Sequence, residues 1–333
     1  MSESGDYTPA PWAQGHNFTQ AKIDYTQTVV DRSYDNAVEA GVTLGDIIAP
    51  SISTDAEAPV VVMSDETGSM GEWPAVMFSK LPYLDHELKY YLGEKAQICF
   101  GAFGDTRPGR ERYPLQAKGF AAGAELKEHL DNLIIEKNGG GQMHESSHLA
   151  MLYFARNCQM PKAIRKPIFI LITDEMPWEE AETNETKTVA HVNLKRPLSV
   201  ADIVSELATK FSIWIVLKPY GDHTNVTDGM DADTEEIYRT WVKLVGNKRV
   251  KLLPDPNRVV DVIFGIFAIE SNRVADFQKE IEGRQTKAQV KTVLTALRLD
   301  QHQLNKAPAR KQLKGVSRLH GVKPDEDDTE SLV

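Results

Sequence analysis

Cysteine is almost missing from this chain: Cys99 and Cys158 are the only two in 333 residues. Each lies in or beside an apolar stretch, so two buried thiols are expected rather than a bridge. That pattern suits a reducing compartment, the cytoplasm of a cell, or of an infected host cell if the chain is viral. Long apolar runs are missing as well. No stretch reaches the roughly 20 residues of a membrane-spanning helix, so no membrane partner is expected. Met1 to Trp12 carries acidic and small residues without an apolar segment, so no signal peptide is expected. Positive charge is in deficit: Lys and Arg number 38 against 48 Asp and Glu, for a formal net charge of −10. That balance lacks the basic face of a nucleic-acid binder. There is no Gly-x-x-x-x-Gly-Lys-Ser/Thr loop to cradle phosphates, and Gly101-Ala102-Phe103-Gly104 is too short and wrongly flanked to bind a dinucleotide. No internal repeat is present.

What is present fits an ordinary globule, with 41% hydrophobic and 26% charged residues. The length allows one large α/β domain with extensions, or two small domains. Strand-like and helix-like segments alternate. Strands are expected at 59–64, 96–103, 112–119, 168–173, 211–217 and 249–253. Helices are expected at 73–92, 123–135, 145–157, 199–210, 234–245 and 258–271, the first kinked or split at Pro82. The 168–173 run has no polar alternation, as befits a central parallel strand. The fold class is therefore α/β, a doubly wound and mostly parallel sheet flanked by helices, Rossmann-like in its layering. The expected organisation is an N-terminal extension over 1–57, the domain over 58–272, a helical extension over 273–300 and a charged, disordered tail over 301–333. Within the helical extension, Val290, Val293, Leu294 and Leu297 share one face of a helix over 286–299. The connection after Asp174 runs to about Pro197, long enough to be either a recognition loop bearing Trp178 or a floppy surface insertion.

The most informative segment is Val60-Val61-Val62-Met63-Ser64-Asp65-Glu66-Thr67-Gly68-Ser69-Met70-Gly71. A strand runs into Asp65, with hydroxyls two and four residues on. Hard divalent cations take carboxylate, hydroxyl and water oxygens. Asp65 supplies charge, whereas Thr67 and Ser69 supply neutral oxygens and leave an ion wanting one more anionic ligand. Gly68 and Gly71 let the backbone turn tightly. The bland alternative is a strand-to-helix loop with Thr67 or Ser69 as helix N-cap.

This Asp-x-Thr-Gly-Ser-Met string resembles the metal-ion-dependent adhesion site of von Willebrand factor A (vWA) domains. Ile168-Phe169-Ile170-Leu171-Ile172-Thr173-Asp174 resembles the last metal motif of that family, with Asp174 as a second carboxylate often bound through water. Gly139-Gly140-Gly141-Gln142-Met143-His144-Glu145-Ser146 resembles the loop between them. In a subgroup of the family that loop reads Gly-Gly-Gly-Asp-x-Pro-Glu, so Gln142 stands where an Asp is expected and Glu145 matches the Glu. The resemblance implies a site of Asp65, Thr67, Ser69 and Asp174, with Gln142 or Glu145 as further ligand, holding Mg²⁺ or alternatively Mn²⁺ or Ca²⁺. It implies no catalysis but a metal-dependent contact: a partner protein's Glu or Asp completes the ion's shell. Intracellular members commonly serve as adaptors, often beside AAA+ ATPases of the MoxR type.

Two competing readings follow from the same residues. His144-Glu145-Ser146-Ser147-His148 matches His-Glu-x-x-His, in which two histidines on one helix face hold Zn²⁺ and the Glu activates water. The three glycines just before it resist the helix such a peptidase needs. A metal-free scaffold of the same family is the other.

Overall fold

The computed structural model describes residues 30–107, 111–136, 143–221 and 229–299, together with positions 20 and 23. The tail over 301–333 and Gln142 lie outside these residues. In chain order the elements begin with helices α1 (Val30–Glu39) and α2 (Leu44–Ile47), then strands β1 (Ile52–Ser53) and β2 (Ala58–Asp65). After β2 come α3 (Trp73–Leu92), β3 (Ala96–Phe103), β4 (Leu115–Ala121) and α4 (Ala124–Asp131). The middle of the chain holds β5 (His144–Glu145), α5 (Ser147–Asn157), β6 (Cys158–Gln159) and β7 (Ile168–Thr173). Beyond it lie β8 (Met176–Pro177), β9 (Glu180–Ala181), α6 (Thr183–Thr188), β10 (Leu198–Ser199), α7 (Val200–Lys210) and β11 (Ser212–Leu217). The rest is α8 (Ala232–Val245), β12 (Val250–Leu252), α9 (Val259–Glu270), α10 (Val274–Arg284) and α11 (Lys287–Leu297).

The main sheet has the order β12-β11-β7-β2-β3-β4. Its strands run parallel, except that β4 is antiparallel to β3 at one edge. From β2 the chain winds outward through β3 to β4. It then returns to the other side of β2 and winds through β7 and β11 to β12. The order reverses between β2 and β7, and ligands of doubly wound sheets bind outside the carboxyl ends of the strands at such a reversal.

Period-two alternation splits the buried side chains between the two faces. Val60, Val62, Ile98, Phe100, Ile170 and Ile172 pack with α3, α9, α10 and α11. Val61, Met63, Cys99, Phe169, Leu171 and Ile215 pack with α5, α7 and α8. A strand buried on both faces is apolar at every position, which is why β7 reads as an unbroken run. Cys99 and Cys158 are free and buried, as expected.

Three expectations are corrected. The helix after the first motif runs unbroken from Trp73 to Leu92. Burial of Val76, Met77, Tyr83, Leu84 and Leu88 on it outweighs the loss at an interior proline, about 3 kcal/mol. The edge strand begins at Leu115 rather than 112, because Arg112 and Tyr113 give their N–H groups to Glu136. The connection over 175–197 is not floppy: it carries β8, β9 and α6, and buries Ala181, Thr186, Val189, Ala190 and Val192. Helix α10 falls within the helical extension expected over 273–300, where Phe277 and Ile281, one turn apart, bury its inner face.

Candidate metal centre

Strand β2 delivers Asp65, fully buried, to the point where the sheet order reverses. One carboxylate oxygen, Oδ1, accepts from the Thr67 N–H at 2.9 Å and the Thr67 hydroxyl at 2.7 Å. The other, Oδ2, accepts from the Thr173 hydroxyl at 3.0 Å. Thr67 stands at the N-cap of a 3₁₀ turn over Gly68–Met70, but its side chain makes no capping bond. Its hydroxyl is turned toward Asp65 instead. Of the two motif glycines, Gly71 has the left-handed backbone, at φ 56°, that an L side chain rarely adopts.

From Thr67 the polar chain continues. Its Oγ1 lies 3.1 Å from the Ser69 Oγ, and the Ser69 hydroxyl donates to Asp174 Oδ1 at 2.9 Å. Asp174 follows β7, next to β2 in the sheet. Thus Asp65, Thr67, Ser69 and Asp174, predicted from motifs about a hundred residues apart, form one connected set of oxygens. Asp174 Oδ2 accepts from the Lys218 ammonium at 2.8 Å. Lys218 directly follows the apolar run of β11, as Asp174 follows that of β7. Lys218 is not among the residues expected at the site, although its place at a strand end marks it as they are marked.

Further carboxyls crowd the same end of the sheet. Burial, and then the charge of Asp174, push the Asp65 carboxyl up to about 7. Burial, followed by Asp65 and Glu175, raises Glu145 to about 12. Burial also raises Glu175 to about 9, with Asp65 and Asp174 adding to it, and holds Glu66 well above the ordinary range. Glu145 is fully buried and has the Glu175 carboxyl beside it as hydrogen-bond partner. Two buried carboxyls side by side favour a shared proton or a cation. The donors nearest Asp65 are hard oxygens throughout, which fits Mg²⁺ or Mn²⁺ better than a soft metal. Gln142 lies outside the described residues.

The His-Glu-x-x-His string is not presented on a helix. His144 and Glu145 form β5, paired with Met176 and Pro177 of β8, and the helix begins only at Ser147. His144 stacks on Trp178, with ring centroids 4.9 Å apart. His148 Nε2 instead lies 3.1 Å from Glu185 Oε1. Among the described residues, no three His, Cys, Asp or Glu side chains are grouped to hold a metal ion.

A second polar network ties the 175–197 segment to the loop after β3. Asp105 Oδ1 accepts from the Trp178 indole at 3.0 Å, the Arg107 N–H at 2.9 Å and the Ser146 hydroxyl at 3.1 Å. Arg107 binds both carboxylate oxygens of Glu185 and lies over the Trp178 ring. Hydrogen bonds from His148, Arg107 and the Glu182 N–H outweigh burial and hold Glu185 down at about 2.

No family model matches the chain, and no curated protein does. Solved structures do. A pilus adhesin, SpaC from Lactobacillus rhamnosus GG, is similar at 11% identity and a TM-score of 0.45 over 68% of this chain and 31% of that one. Its open conformation gives 10% and 0.43 over the same shares. The ArnB paralog VWA2 from Sulfolobus acidocaldarius gives 11% and 0.30, over 64% of this chain and 45% of that one. The chain thus spans about a third of the adhesin and under half of the ArnB paralog. Likeness this distant assigns neither family nor activity, and the α/β architecture rests on the sheet order and helix layers of this chain itself.

Proposed function

We propose that this chain is a vWA-type interaction module that grips a protein partner through a divalent cation. The observation that carries the reading is the unbroken oxygen set from Asp65 through Thr67 and Ser69 to Asp174. Asp65, Thr67 and Ser69 would hold Mg²⁺, or else Mn²⁺ or Ca²⁺, with Asp174 in support and Glu145 or Gln142 as further ligand. A bound ion would supply positive charge at the carboxyl ends of the strands and an open position for an anionic oxygen. The partner class is therefore a protein presenting Glu or Asp. Adaptor work in a cytoplasmic assembly, with a MoxR-type AAA+ ATPase as the partner, follows from the motif resemblance.

Titration of the intact chain with Mg²⁺ in a calorimeter, with affinity capture in Mg²⁺ and in EDTA, tests this. Binding that Asp65→Ala abolishes, and partners lost in EDTA, are expected. Partners retained in EDTA and by Asp65→Ala would instead favour the metal-free scaffold. That second reading draws on one observation, the Lys218 ammonium that already balances Asp174.

A further inference from the structure

Lysine is almost never fully buried unless its charge and all three protons are satisfied. Lys218 meets that condition in an unusual place. Its side chain is 10% exposed and that of Asp174 is 0% exposed. The ammonium reaches Asp174 Oδ2 at 2.8 Å, the Ser69 carbonyl at 2.9 Å and the Gly221 carbonyl at 3.1 Å, with the Pro219 carbonyl at 3.4 Å. One carboxylate and three carbonyl oxygens make the kind of cage that hard cations also occupy. Two of these contacts fall on residues of the metal site: Ser69, whose hydroxyl is a proposed ligand, and Asp174. Between them, Lys218 and Ser69 occupy both Asp174 oxygens.

We propose that Lys218 is a tethered counter-cation of this site, which holds the strand ends together without an ion and sets how tightly a divalent ion is bound. The proposal rests on the metal-binding reading above. Two consequences follow from Coulomb's law in a partly desolvated setting. With the ammonium in place, Asp174 is neutralised and an incoming divalent ion meets an added repulsion. Without it, Asp174 is uncompensated beside Asp65, and an incoming divalent ion meets more negative charge and no competing cation. Lys218 therefore exchanges binding strength for a site already assembled.

The test is Mg²⁺ and Mn²⁺ calorimetry on the full chain and on Lys218→Met, Lys218→Gln and Lys218→Arg, with thermal unfolding in EDTA and in Mg²⁺. Lys218→Met is expected to bind either ion at least tenfold more tightly, to unfold at lower temperature in EDTA, and to recover more than the wild type when Mg²⁺ is added. Lys218→Arg should stay near the wild type because it keeps the charge. Lys218→Gln keeps a donor for the Ser69 carbonyl and should follow Lys218→Met even if the latter folds poorly. A merely structural lysine would not tighten metal binding when removed. Equal or weaker binding by Lys218→Met and Lys218→Gln would overturn the proposal. If both variants bind and the wild type does not, the metal-dependent function falls while the role of Lys218 stands. If the wild type binds and the variants bind no better, the reverse holds.

Discussion

At the scale of single residues, Asp65 sets the behaviour of the site. Its oxygens take three hydrogen bonds, from the Thr67 N–H, the Thr67 hydroxyl and the Thr173 hydroxyl, yet burial and Asp174 still push it up from 3.8 to about 7. A raised carboxyl favours the folded state while protonated. Its contribution is complete below about pH 4 and lost as pH rises through about 7. The protein in EDTA should therefore unfold at lower temperature at pH 8 than at pH 5, and Mg²⁺ should remove most of that difference. Asp65→Asn keeps an acceptor and drops the charge. It should raise stability in EDTA by about 1–3 kcal/mol, flatten the pH profile and abolish the Mg²⁺-induced rise in melting temperature. Thermal unfolding with and without Mg²⁺ across that pH range reads all three effects. Asp65, Thr67, Ser69 and Asp174 were legible because each follows an apolar strand in a fixed short spacing. Glu66 and Glu175 were not, because nothing in a charged residue's own neighbourhood announces that its side chain will be buried by elements far along the chain.

At the scale of elements, close approach and networks decide more than propensity. In β3, a Cβ added to Gly101 would lie 2.4 Å from the Gln116 carbonyl oxygen and 2.5 Å from the Met63 sulfur. The first clash is with backbone of the paired edge strand, next to an irregular register between Cys99 and Gly101. Gly101→Ala should thus destabilise by about 1–3 kcal/mol, measured by denaturant unfolding. On the segment over 175–197, Glu185 joins Arg107, Thr106 and His148. Its carboxylate is held down at about 2, so its contribution is present above about 4.5 and lost as pH falls through about 2. Glu185→Ala removes the carboxylate that joins the buried His148 to Arg107. A loss of about 2–4 kcal/mol at neutral pH is expected, with faster amide exchange over 175–197. Strands β3 and β7 fall where the sequence placed them, 96–103 and 168–173, since burial on both faces writes itself as an apolar run. Strands β8, β9 and β10 have two residues each and pair with partners well separated in sequence, so local pattern held no trace of them.

At the scale of the whole molecule, the C-terminal helices are part of the fold. Phe277 and Ile281 of α10, with Val290, Val293 and Leu297 of α11, are buried in the cluster that includes α9. Burying each such side chain contributes roughly 1.5–3 kcal/mol, so together they rival the roughly 5–15 kcal/mol that holds a typical domain folded. A chain ending at residue 273 should therefore aggregate or melt without a cooperative transition, which expression and calorimetry would reveal. The helix over 286–299 was legible from its apolar spacing, but that it and α10 close over α9 was not, because contact between elements so far apart leaves no local mark. The oxygen set has a similar dependence. Its links span 105 residues from Ser69 to Asp174, 108 from Asp65 to Thr173 and 149 from Ser69 to Lys218. Contacts of such long range close only after the strands between them have found their neighbours. An ion held by this set would therefore act as a proofreader of topology, because only molecules that have already sorted β2, β7 and β11 into order can present it a complete set of ligands.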